Sequence, residues 1–260
     1  MNIIRARFRI FFLVCLFSAV QTQNMNCNFW DWLWSFFQGS NEQQYTSQLV
    51  GKPVLLFDFD GTIADAYKVL LTIFNDLARE YGYSLIEDDS WRKLSAREVL
   101  ARAGVPWWRL PFLRNEAIKR QSAQLSTIHP FAGIPELLAT LTARGYRWGV
   151  ITSNARENVE KFLTSHGITG YEFIYSDHSI FGKHKVINRC LEDHYIFMRT
   201  VGQVLYVGDE VRDIEAARKS RIKIVAVTWG FNDAQLLEEH KPDFLINKPS
   251  ELLDILSTSF

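Results

Sequence analysis

Apolar residues fill positions 54–57, and the run ends on two carboxylates, Asp58 and Asp60, with Phe59 between them and Gly61 behind. A short apolar run bounded by turn residues predicts a buried strand. Alternation along an extended chain sends Asp58 and Asp60 to the same side, past the end of the ladder, and Gly61 allows a sharp turn. The pattern then becomes helical. Leu70, Ile73, Phe74 and Leu77 recur at helical spacing before a stop at Gly82. Ser95-Ala96-Arg97-Glu98 has the form of a capping box ahead of Val99 and Leu100, with Gly104 closing that helix. Residues 115–125 predict a third helix, and no strand signal falls between Thr62 and His129. This stretch is an all-helical insert and not the continuation of a sheet.

After Pro130 the pattern changes. Helix 134–143 stops at Gly145, strand 146–151 leads to Thr152-Ser153-Asn154, and a helix ends near Gly167. Strand 171–175 and helix 185–197 follow, then strand 204–207 and a helix through Ala216 and Ala217. Strand 222–227, a helix near Leu236, strand 244–246 and a closing helix complete the chain. Strands alternating with helices imply right-handed crossovers and an α/β fold with a doubly wound, Rossmann-like parallel sheet. Ligands of such sheets sit at the carboxyl ends of the strands. The expected organisation is a core of residues 50–65 and 130–260 with a helical insert at 66–129, preceded by a separate segment at 1–49.

Charge narrows the range of partners. Lys plus Arg and Asp plus Glu number 29 each, so no basic excess argues for nucleic acid. Cys15, Cys27 and Cys190 are too few and too scattered for a disulfide framework or a zinc site, which makes a reducing compartment, the cytoplasm, the default. The first residues complicate that. Arg5, Arg7 and Arg9 precede an uncharged apolar run at 10–20, laid out like a secretory signal and short for a membrane span. An aromatic stretch at 29–37 favours a membrane interface, and 38–48 reads as a polar linker. Residues 1–37 are therefore a candidate membrane contact. A secreted or periplasmic form and a start at Met25 both remain open, and nothing in the pattern sets the oligomeric state.

Polar groups gather at the strand ends. The first gives Asp58 and Asp60; the second gives Thr152, Ser153 and Asn154. A loop after the third gives Lys183 and Lys185 around His184, and the fourth gives Gly208-Asp209-Glu210-Val211-Arg212-Asp213. Each has a plain structural explanation alone: a helix N-cap for residues 152–154, a solvated loop lysine, an ordinary turn, and an acid in the first turn of a helix. Together at one sheet edge they form a pocket with a carboxylate cluster, a hydroxyl, an amide and an ammonium. Hard carboxylate oxygens suit Mg²⁺, which keeps several waters and bridges to phosphate.

Asp58-Phe59-Asp60-Gly61-Thr62, Thr152, Lys183 and Gly208-Asp209 with Asp213 resemble the four motifs of the haloacid dehalogenase superfamily over residues 50–255. The helical insert resembles the α-helical cap of the phosphoglycolate phosphatase-like branch, as does Val227-Thr228-Trp229-Gly230-Phe231. The resemblance implies Asp58 as the nucleophile that accepts the phosphoryl group and Asp60 as the acid and base. It implies Mg²⁺ held by Asp58, the Asp60 carbonyl and Asp209, with Asp213 near the metal or orienting Lys183. Thr152, Ser153, Asn154 and Lys183 would bind the substrate phosphate, supported by Gly61, Thr62 and Gly208. Lys183 is preferred over Lys185 because it follows the glycine turn. A second Asp at position 60 argues for phosphate chemistry over dehalogenation, since only a leaving alkoxide needs a proton.

The expected partner is a small-molecule phosphate ester, and substrate choice belongs to the cap. Its most unusual stretch, residues 105–114, contains Trp107 and Trp108, which would either form a substrate lid or partner surface or pack the core of the cap. A β-phosphoglucomutase-like phosphomutase shares every motif residue. A membrane-tethered binding protein that lost catalysis is the reading from another class, and the complete motif set disfavours it.

Overall fold

The computed structural model describes residues 52–176, 182–194 and 203–260. The expected signal, aromatic and linker segments at 1–49 lie outside the described residues, as do Phe181 and the expected helix end at 195–197.

The central strand β1 (Val54–Phe57) is apolar at every position because both of its faces are covered. Leu55 and Phe57 join one core with Trp148, Val150, Leu205 and Val207. Val54 and Leu56 join the other with Ile151, Val204 and Tyr206. A strand buried on both sides loses the polar alternation of a half-exposed one. The remaining strands are β2 (Trp148–Thr152), β3 (Ile174–Ser176), β4 (Val204–Gly208), β5 (Lys223–Val227) and β6 (Phe244–Ile246). They form one sheet in the order β3-β2-β1-β4-β5-β6, and every pairing is parallel. The order reverses at β1, whose neighbours β2 and β4 lead to opposite edges. That reversal opens a crevice above the carboxyl ends of these three strands.

Before β2 come α1 (Tyr67–Tyr81), α2 (Ala96–Arg102), α3 (Leu110–Ala123) and α4 (Ile134–Ala143). After it come α5 (Arg156–Ser165), α6 (Lys183–His194), α7 (Val211–Ser220), α8 (Ala234–Glu239) and α9 (Glu251–Thr258). Helices α4, α5 and α9 cover one face through Leu138, Phe162 and Leu252. Helices α6, α7 and α8 cover the other through Ile187, Ala217 and Leu237. The fold is thus the doubly wound α/β arrangement that the sequence predicts.

Helices α1 to α3 form the inserted cap. Its entry and exit run side by side: Asp65 N–H donates to the His129 carbonyl at 2.9 Å, and Phe131 N–H to that of Ile63 at 3.0 Å. Gly82 ends α1 in the left-handed conformation, and the Ser95–Glu98 capping box starts α2. Trp91, Ala103 and Val105 form the buried centre of the cap.

Several expectations shift, and β2 runs Trp148–Thr152 and not 146–151. Helix α3 begins at Leu110 and not at 115, because Pro111 sits in its first turn, where the missing N–H costs no hydrogen bond. Strand β3 begins at Ile174 and not at 171. Helix α6 begins at Lys183, so this lysine belongs to a first helical turn and not to a loop. Of the two readings of the tryptophans, packing in the cap core is excluded. Trp107 and Trp108 are 77% and 64% exposed, and Trp91 fills the cap centre instead.

The contrast predicts two stabilities. Leu205→Ala, in the middle of the sheet core, should cost about 3 kcal/mol in urea unfolding. Trp107→Ala should stay within about 0.5 kcal/mol of the parent protein.

Candidate active site

The end of β1 places Asp58 in the crevice, and β4 delivers Asp209 beside it. Both carboxyls are buried, at 3% and 0% exposure. Glycines permit that proximity. Gly61 adopts a positive φ of 85°, and a side-chain carbon at Gly61 or Gly230 would overlap the Asp209 carboxylate. A carbon at Gly208 would overlap Asp213 in the same way. Three neighbouring backbones therefore wrap these two acids.

Each carboxylate has defined partners. Asp58 accepts the Phe59 N–H at 2.8 Å on Oδ1 and Lys183 Nζ at 2.6 Å on Oδ2. Asp209 accepts the Thr62 hydroxyl at 2.7 Å and the Phe231 N–H at 2.7 Å. Asp213 is occupied differently. Its Oδ1 takes Lys183 Nζ at 2.5 Å, and its Oδ2 accepts the N–H groups of Asp209 at 3.2 Å and Glu210 at 3.0 Å. Asp213 thereby caps α7 and orients the lysine. Lys183 is buried, whereas Lys185 is exposed, so only the first reaches the cluster. Glu210 pairs with Arg212 at its edge.

Burial without enough countercharge sets the electrostatics. Desolvation pushes the Asp58 carboxyl up to about 7, against the pull of Lys183. Desolvation, reinforced by Glu210, Asp213 and Asp58, raises Asp209 well above the usual carboxylate range. For Lys183, burial works against the charged form, but Asp213 and Asp58 outweigh it and hold its pKa above normal. Oxygen atoms of Asp58, Asp209 and Asp213 lie within 4.8 Å of one another. An oxygen-only set of close, buried, like-charged groups fits a hard divalent cation. With Asp213 engaged by the lysine and two backbone N–H groups, Asp58 and Asp209 are the carboxylates best placed to hold one.

Asp60 sits in a separate network. Gln121 Nε2, from α3 of the cap, donates to its Oδ1 at 2.5 Å. Asn154 Nδ2 donates to its Oδ2 at 2.9 Å and to Gln121 Oε1 at 3.0 Å. Desolvation raises the Asp60 pKa, and the two amide donors work against that rise. Asn154, expected among the phosphate-binding groups, thus has its amide on Asp60 and Gln121. Thr152, at the end of β2, is buried, and its oxygen accepts the Asn154 N–H at 2.9 Å. Ser153 is half-buried, and its carbonyl accepts from Arg114 of the cap.

Gln121 and Arg92 carry no signal in the sequence, and Arg114 stands there only as the last residue of the unusual stretch 105–114. Arg92 Nη2 donates to the Gly230 carbonyl at 2.8 Å. Asn232 returns the contact, with Nδ2 on the carbonyls of Arg92 at 3.2 Å and Leu94 at 3.0 Å. A polar residue on a cap helix carries no mark in one sequence that separates it from a solvated one. The nearest signal is Trp229-Gly230-Phe231, which supplies the core side of these contacts.

Residues 55–227 match the haloacid dehalogenase-like hydrolase family. The chain is 34% identical to a phosphoglycolate phosphatase of Synechococcus elongatus over 207 residues, covering 78% of this chain and 96% of that one. It is 26% identical to an N-acetylmuramic acid 6-phosphate phosphatase of Pseudomonas aeruginosa, over 78% and 93% of the two chains. A haloacid dehalogenase-like hydrolase structure from Streptococcus pneumoniae superposes with a TM-score of 0.65 at 22% identity, over 78% and 97%; at that identity the likeness shows the fold.

The raised Asp58 pKa predicts a pH effect on stability. Its folded value of about 7 lies above the ordinary 3.8, so the folded state holds this proton more tightly. The resulting stabilisation is complete below pH 3.8 and is lost as pH rises through 7. In EDTA, the urea midpoint should therefore fall between pH 5 and pH 8, and Asp58→Asn should flatten that fall. A midpoint that rises over the same range would contradict the assignment.

Proposed function

This chain belongs to the haloacid dehalogenase-like hydrolase family, and we propose that it is a Mg²⁺-dependent phosphatase of a small-molecule phosphomonoester, working through an aspartyl-phosphate on Asp58. The observation that carries this reading is the second acid. Asp60 lies two residues from Asp58, its carboxyl gripped on both oxygens and its pKa raised by desolvation. A group of that kind is suited to hand a proton to a leaving alkoxide.

In the proposed reaction a carboxylate oxygen of Asp58 attacks phosphorus. The bond from phosphorus to the ester oxygen breaks, and that oxygen takes the proton of Asp60. The ionised Asp60 then takes a proton from water, whose oxygen displaces Asp58 from phosphorus. Inorganic phosphate leaves and Asp58 returns as carboxylate. Lys183 and the Thr152 hydroxyl hold phosphoryl oxygens while charge spreads over them. Mg²⁺ bound by Asp58, Asp209 and the Asp60 carbonyl would offset the repulsion between the carboxylates and the phosphate dianion. The cap, residues 66–129 in this reading, excludes water during the first step. Relatives named for phosphoglycolate and N-acetylmuramic acid 6-phosphate support a small phosphomonoester as the substrate class.

Two measurements test the reading. Asp58→Asn should abolish phosphate release, because an amide does not attack phosphorus; turnover within tenfold of the parent would refute the nucleophile. Asp60→Asn should lose roughly 10²–10⁴-fold on alkyl phosphates but far less on aryl phosphates, whose leaving groups need no proton. Gln121→Leu should show the same dependence on leaving group in weaker form. Equal losses on both ester types would remove Asp60 from acid catalysis.

A further inference from the structure

The cap, with Glu210, Phe231 and Asn232 of the core, lines an open cavity of about 320 Å³, within the range of small-molecule sites. Its wall is made largely of apolar side chains from all three cap helices, among them Leu70, Phe74, Leu100, Leu110 and Leu113. All five stay only half-buried, although Phe74, Leu100, Leu110 and Leu113 pack around Trp91, and α2 buries no residue at all. Protein interiors contain few voids larger than a water molecule, and contiguous apolar surface of this kind marks a ligand site.

The charged part of the wall lies toward the reacting groups. Glu210 directly follows Asp209, and the Phe231 N–H bonds the Asp209 carboxylate. Arg114 donates to the carbonyl of Ser153, next to Thr152, and Arg92 holds the Gly230 carbonyl. The polar part of the wall thus borders residues next to Asp209 and Thr152, and the rest of the wall is apolar.

We propose that this cavity receives the organic part of the substrate, and that the ester cleaved carries a predominantly apolar alcohol, an alkyl or aryl group and not a two-carbon acid. The inference rests on the phosphatase reading and specifies its substrate. A glycolate ester ends two carbons from phosphorus in a carboxylate, which leaves the leucine-lined volume unfilled. An apolar chain removes both its own surface and that of the wall from water.

The test is a series of n-alkyl phosphates, ethyl to octyl, alongside phosphoglycolate, with released phosphate as readout on the full chain with Mg²⁺. Expected is a rise in kcat/KM of roughly fourfold per methylene until the cavity is full, with hexyl phosphate above phosphoglycolate. A flat or falling series with phosphoglycolate preferred overturns the inference and leaves the phosphatase reading standing. No phosphate from any ester fails the phosphatase reading instead. Calorimetric titration of Asp58→Asn then decides the cavity separately: octyl phosphate binding at least tenfold tighter than ethyl phosphate supports it, and equal binding overturns it. Ala117→Phe, which fills the wall from α3, should shorten the preferred chain, and Leu113→Ala should lengthen it. An unchanged optimum in both folded variants also overturns the assignment.

Discussion

Four aspartates share one crevice with a single buried lysine, and the molecule is arranged to make that tolerable. Isolated ionised carboxylates are costly to bury, and like charges add to the cost. The structure meets this locally. Asp213 is tied to Lys183 and to two N–H groups at the start of α7. Asp209 takes a hydroxyl and an N–H, and Asp58 takes Lys183 and its neighbour's N–H. What remains is an excess of negative charge at Asp58 and Asp209, expressed as raised pKa values. Carboxylates under that strain are suited to a divalent cation, which relieves the repulsion among them.

The sheet makes this concentration workable. Parallel strands buried on both faces give a rigid platform, and the reversal at β1 brings β1, β2 and β4 side by side with their carboxyl ends on one edge. The motif residues, separated by up to 155 positions between Asp58 and Asp213, then converge without any long loop having to find its place. Gly61, Gly208 and Gly230 let backbone close against the acids where any side chain would intrude.

Much of this was legible in the sequence because it lives in local patterns. Strand β1 shows as an apolar run, the Ser95–Glu98 cap as a spaced pair, and the strand-end acids as polar residues closing apolar runs. The errors were at boundaries. Proline at position 111 hid the start of α3, and the onset of α6 at Lys183 was lost because Lys-His-Lys carries no apolar periodicity. Trp107 and Trp108 were ambiguous because an aromatic pair fits a core as well as a surface, and only the packing of Trp91 separates the two. The Gln121–Asp60–Asn154 network was invisible for a different reason: it joins residues 33 to 94 positions apart through polar contacts, and nothing in one chain's pattern marks such a pairing.

That network also bears on how the cap and the core work together. Gln121 reaches Asp60 and Asn154, Arg114 reaches the carbonyl beside Thr152, and Arg92 reaches the backbone that bonds Asp209. Gln121 ends on Asp60 itself, Arg114 one residue from Thr152, and Arg92 on the backbone beside Phe231, whose N–H bonds Asp209. Beside these directional bonds, Val69 and Leu70 of α1 pack against the sheet core and the Tyr67 ring meets Phe231 edge-on. A few directional hydrogen bonds break and re-form with far less change in buried surface than a packed interface. Were such a cap to part from the core to admit substrate, Asp60 would keep the amide of Asn154, a core residue, and lose only that of Gln121. In the proposed reaction both donors would therefore hold the acid only with the cap on the core, the arrangement that would also keep water from the aspartyl-phosphate.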